Sequence, residues 1–90
     1  MKLPEKRMYC PCDPVTGQRL WDFLRANGVP TYVLDYHPNA LGLSYYSDRA
    51  FGWSVHNDHV GLSIDFPEHN VTPSEFCAAF GLAWPENTNQ

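Results

Sequence analysis

Two histidines three residues apart, His56 and His59 in "FGWSVHNDHVGLSIDF" (51–66), and two cysteines flanking a proline, Cys10-Pro11-Cys12, are the side chains best suited to chemistry in this chain. A pair of imidazoles or a pair of thiolates can each begin a metal site. A structural zinc, however, wants four ligands, and C-x-C with H-x-x-H is not a finger spacing. No bound metal and no cofactor are therefore expected. The odd cysteine count is a poor disulfide framework. Cys10 and Cys12 read as free thiols outside the core, and Cys77 as a small core residue.

Catalytic constellations are equally sparse. There is no P-loop, G-x-G-x-x-G, H-E-x-x-H or G-x-S-x-G in the sequence. A nucleophilic thiol needs a base and an oxyanion site, and no histidine lies near Cys10 or Cys12 in sequence. Asp65 and Glu68 could pair as carboxylates, but a domain this thin predicts no deep pocket to perturb them. The expectation is a protein that is not an enzyme.

The elements that would position these residues follow from pattern. With Asn57-Asp58 as a two-residue hairpin loop, His56 pairs with His59, Val55 with Val60, Trp53 with Leu62 and Phe51 with Ile64. Apolar pairs then share one face, while Gly52, Ser54, Gly61 and Ser63 share the other. A loop at 47–49 continues the pattern, pairing Tyr45 with Phe51, Leu43 with Trp53 and Leu41 with Val55. The loop "HPNA" (37–40) pairs Tyr36 with Leu41, Leu34 with Leu43 and Tyr32 with Tyr45. Strands at 31–36, 41–46, 50–56 and 59–66 result. His56 and His59 fall beside a turn, on the face away from the core.

Two helices flank the strands. Asp13 followed by Pro14 reads as a cap and first helical position, with Thr16 as a rival cap; Leu20, Trp21 and Leu24 form the apolar stripe, and Asn27-Gly28 the stop. In "VTPSEFCAAFGL" (71–82) Thr72 caps, Pro73 opens the helix, Glu75 closes a capping box, and Val71 with Phe76 forms a hydrophobic staple before Gly81 ends it. The predicted fold is a single α+β domain over 1–90. It is a two-layer, four-stranded antiparallel meander with two helices on one face, in the order α-β-β-β-β-α. Residues 1–12 read as an amino-terminal extension and 85–90 as a disordered tail.

The face opposite the predicted core carries Gly42, Ser44, Gly52, Ser54, Gly61 and Ser63, where antiparallel sheets usually show larger polar residues. Two readings compete: a flat platform for a partner with Tyr46 as an anchor, or a face covered by Tyr46 and the amino-terminal segment. Strand 59–66 reads as a sheet edge, which invites pairing with a second copy.

Composition and charge narrow the function class. With 43% hydrophobic and 14% aromatic residues the chain has the apolar content of a folded domain. The amino terminus has no apolar signal segment and the chain no run of bilayer length, which predicts a soluble, cytoplasmic protein. Five of the six basic residues, Lys2, Lys6, Arg7, Arg19 and Arg25, lie in the first 25 positions. Beyond them Arg49 stands alone against Asp35, Asp48, Asp58, Asp65, Glu68, Glu75 and Glu86. Such a body repels phosphate backbones and steers toward basic protein surfaces.

The resulting expectation is a small acidic interaction protein, an inhibitor occupying the nucleic-acid-binding surface of a larger enzyme or complex. An anti-CRISPR or anti-restriction protein of a phage or mobile element, working in the host cytoplasm, would have this character. Size, acidity and missing chemistry suggest it by association. The expected contact residues are Tyr46, Asp48, His56, Asp58, His59, Asp65 and Glu68. The alternatives are an immunity or antitoxin protein neutralising a toxin, and a zinc-binding structural subunit using Cys10, Cys12 and histidines.

Overall fold

A computed structural model describes residues 3–37, 41–45, 47 and 67–85. Its elements are β1 (Met8–Pro11), α1 (Pro14–Ala26), β2 (Leu34–His37), β3 (Gly42–Tyr45) and α2 (Pro73–Ala79), with 3₁₀ turns at Thr31–Val33 and Pro67–His69. The fold is α+β: two helices and a three-stranded antiparallel sheet of order β1-β3-β2.

Both helix starts are set by local chemistry. The Asp13 carboxylate accepts from the Thr16 amide at 2.7 Å, and Pro14 follows at the first helical position. At α2 the capping box is complete: the Glu75 amide donates to Thr72 Oγ1 (3.1 Å) and the Thr72 amide to Glu75 Oε1 (2.9 Å). Gly28 and Gly81, each just past a helix end, take the positive φ angles of 89° and 79° that stop the helices.

The sheet departs from the expected meander in two ways. First, residues 8–11 form a strand absent from the expected element order, β1, which pairs Met8 with Tyr45 and Cys10 with Leu43. Both edges of β3 are thus occupied, by β1 and β2. Leu43 faces Cys10 and Tyr36, where Trp53 was expected as one of its partners. The predicted strands 50–56 and 59–66 lie outside the described residues.

Second, the β2–β3 register is displaced by two residues from expectation. Leu34 pairs with Tyr45 and Tyr36 with Leu43. Leu41, expected in the strand, belongs to the turn at a left-handed φ of 57° and is exposed. Tyr32, expected opposite Tyr45, sits in the 3₁₀ turn and is 68% exposed. An even displacement preserves side-chain parity, so the core face still carries Leu34, Tyr36, Leu43 and Tyr45.

That face, with Met8 and Cys10 from β1, packs against Leu20 and Leu24 of α1 and Phe76, Cys77 and Phe80 in and after α2. Tyr45 meets Phe80 edge-on at 5.3 Å, and its hydroxyl donates to the Pro4 carbonyl at 2.7 Å. The outer edge of β1 is covered in turn. Asn70 bridges to Tyr9 in parallel, and the Val71 amide donates to the Tyr9 carbonyl at 2.9 Å. Pro11 is tolerated because backbone groups alternate sides along a strand. Tyr9 points its carbonyl toward Val71, while the Cys12 amide turns to the Leu41 carbonyl beside β3. The missing Pro11 N–H therefore costs the β1–β3 ladder nothing.

No helix among the described residues is long and apolar enough to cross a membrane.

Candidate functional site

Of the contact residues expected from sequence, the structure places Glu68. Tyr46, Asp48, His56, Asp58, His59 and Asp65 lie outside the described residues. Glu68 occupies the 3₁₀ turn leading to the Asn70–Val71 strap, with its side chain 67% exposed and its carboxylate 3.9 Å from His69 Nε2. His69 Nδ1 lies 3.3 Å from the Arg7 carbonyl, which ties this acidic turn to the start of β1.

The small-residue face is covered where it is described. Ser44 is fully buried, and Tyr9, on the same face as Ser44 by register, is 2% exposed. The Tyr9 ring lies against Gly42 so closely that a Cβ there would meet it at 2.6 Å. Gly42 and Ser44 therefore form no open platform; Gly52, Ser54, Gly61 and Ser63 lie outside the described residues.

The outward surface of α1 has relief instead. A shallow groove of about 540 Å³ is lined by Pro14, Val15, Gln18, Arg19 and Tyr36. A second, of about 360 Å³, is lined by Arg19, Asp22, Phe23, Trp84 and Pro85. The Arg19 guanidinium stands 5.1 Å above the Trp84 ring, and that of Arg25 5.9 Å above Trp21. Val15, one wall of the first groove, is 71% exposed. Arginine and aromatic side chains are both enriched at protein interfaces. In the sequence Arg19, Asp22 and Arg25 simply flank the apolar stripe of Leu20, Trp21 and Leu24. The rings that complete the surface come from Tyr36 and Trp84, remote in sequence, so no local signal announced it.

All three cysteines are free thiols. Cys10 is fully buried on the core face of β1, correcting its expected place outside the core, and Cys77 is fully buried on α2. Cys12, just past the end of β1, is half-buried, and its thiol donates to the Cys10 carbonyl at 3.4 Å. The two side chains also share a hydrogen bond with opposite effects on the two thiols. It holds the Cys12 pKa below the usual 9.0 against partial burial, and with burial it pushes Cys10 far above that value. Burial alone pushes Cys77 up to about 12. Of the three thiols, only Cys12 thus combines partial solvent access with a lowered pKa.

Among the described residues, no three His, Cys, Asp or Glu side chains converge on a point that could hold a metal ion. The chain matches no protein-family model, no curated protein and no solved structure.

Proposed function

We propose that this chain is a small acidic protein that works by docking onto a basic surface of a larger protein, and so blocks a site that otherwise binds nucleic acid. The partition of charge carries the reading: Arg49 is the sole lysine or arginine after residue 25, against seven carboxylates. Such a field accelerates encounter with a basic partner and disfavours direct contact with phosphate. Glu68, the exposed carboxylate on the turn beside β1, belongs to the same acidic half. With Tyr46, Asp48, His56, Asp58, His59 and Asp65 it makes up the proposed contact set. The target class is a nucleic-acid-processing complex, and the role that of an anti-CRISPR or anti-restriction protein acting in a host cytoplasm. An immunity or antitoxin protein would use the same physics on a different target. The zinc-subunit reading gains nothing from the geometry, because Cys10 is enclosed by the core rather than held open for a ligand.

The test is capture of partners by the tagged full chain from lysate of its native host, alongside a variant carrying Asp48→Asn, Asp58→Asn, Asp65→Asn and Glu68→Gln. A nucleic-acid-handling partner should be retained at low salt and released by about 0.5 M salt, where charges several ångströms apart are screened. The variant should fail to retain it. A partner held equally by both chains at both salt concentrations would rule out charge-led docking.

A further inference from the structure

The Cys10–Cys12 pair sits at the junction of β1, the Leu41 turn and the start of α1. The Cys12 amide bonds the Leu41 carbonyl, its thiol bonds the Cys10 carbonyl, and the next residue, Asp13, caps α1. One thiol of the pair is sealed in the core and the other reaches solvent, with the Cys12 sulfur 3.4 Å from the Cys10 carbonyl oxygen. We propose that Cys10 and Cys12 form a reversible dithiol–disulfide couple, in which Cys12 is the entry thiol and Cys10 resolves it. This reading is independent of the docking role.

The oxidant is a low-molecular-weight disulfide such as glutathione disulfide. The Cys12 thiolate attacks one sulfur of that disulfide, forming a mixed disulfide and releasing one thiolate. Cys10 then passes its proton to the released thiolate, attacks the Cys12 sulfur and expels the second thiolate, which takes up from solvent the proton that Cys12 had lost. Two protein thiols become one disulfide, and one small disulfide becomes two thiols. The asymmetry of the pair sets the order, because the more acidic and more accessible sulfur reacts with solutes. Cys77 is excluded from the first step by complete burial.

Residues i and i+2 of an extended strand lie about 6.7 Å apart at Cα, at the upper limit of the disulfide range. Closure across Pro11 therefore requires Cys12 to shift toward Cys10. A disulfide closed under strain is more easily reduced than a relaxed structural one, as a reversible couple requires. Oxidation also removes the thiol proton that now bonds the Cys10 carbonyl.

The experiment uses the reduced full chain, equilibrated at graded ratios of glutathione to glutathione disulfide. It is then quenched in acid, alkylated and mapped by peptide mass spectrometry. The expected product is a Cys10–Cys12 disulfide, identified as the loss of two hydrogens within one peptide and fully reversed by excess glutathione, with Cys77 unmodified. Cys12→Ser should abolish the reaction and leave Cys10 unreacted, while Cys10→Ser should accumulate a glutathione adduct on Cys12. The wild-type result stands if Cys10→Ser does not fold, since it needs no variant. A stable glutathione adduct on wild-type Cys12, a disulfide to Cys77, or full-length chain with all three thiols free at every ratio would each overturn the proposal.

Discussion

The Tyr36 ring occupies the space that a β-carbon on Gly17 would fill: its edge lies 2.5 Å from that position, while its hydroxyl donates to the Pro14 carbonyl at 2.6 Å. A glycine in the first half of α1 weakens the helix locally, yet it lets a strand residue lie across the helix. Trp21, four residues further along α1, stacks on the same ring, with centroids 6.2 Å apart. Gly17→Ala gains roughly 1 kcal/mol of helix propensity and meets an overpacking cost of about 1–3 kcal/mol against a pinned ring. The substitution should therefore destabilise the chain in urea melts. In a Tyr36→Leu background the same substitution should become stabilising, a reversal that a purely helical effect would not produce.

The covered face is tested at Gly42 and Ser44. Gly42→Ala places a methyl group against the Tyr9 ring and should cost about 1–3 kcal/mol. Ser44 buries its hydroxyl completely and finds no hydrogen-bond partner for it among the described residues. Ser44→Ala removes that unsatisfied group and should be neutral or stabilising by up to about 1 kcal/mol. An open platform would give the opposite pattern, with Gly42→Ala nearly silent in thermal denaturation.

The α2 cap offers a local measurement. Thr72→Ala removes the acceptor for the Glu75 amide and should lower stability by about 1 kcal/mol. Thr72→Asn should restore most of the loss, because its side chain can cap the same amide. Chemical denaturation with helical circular dichroism would read both.

Stability should fall at both pH extremes for identifiable reasons. The Thr16 amide hydrogen bond holds the Asp13 pKa below its usual 3.8. Its contribution is present above that value and is lost as pH falls through the lower folded value. Asp13→Asn keeps the cap without the titration and should flatten this acid limb. Burial raises the Tyr45 pKa above 10.0, so above about that pH the unfolded chain sheds its proton more readily and stability declines. Tyr45→Phe should reduce the alkaline slope, at a loss of about 1 kcal/mol near neutrality from the missing bond to Pro4. Melting temperature against pH for the three chains checks both limbs.

The helices were readable in the sequence because their signals are local: Asp13-Pro14 and Thr72-Pro73-x-Glu75 need no tertiary partner to declare a start. The sheet was readable only to parity. Alternation assigned Leu34, Tyr36, Leu43 and Tyr45 to one face, but a shift of two leaves alternation intact, and leucine at position 41 gives no hint of the positive φ it adopts. β1 was hidden because it is four residues long, ends in proline and follows a charged stretch. Its pairing is decided by Tyr45 and Leu43, far along the chain. The grooves on α1 were hidden for the same reason: Trp84 and Tyr36 reach them through the fold.

The placement of β1 between β3 and the Asn70–Val71 strap governs how the chain is assembled during synthesis. β1 is synthesised before either neighbour: its ladder partner is residues 42–45, and the cover of its far edge comes from Asn70 and Val71. Its backbone groups therefore stay open until both are made, and deleting residues 8–11 would bare one whole edge of the central strand β3.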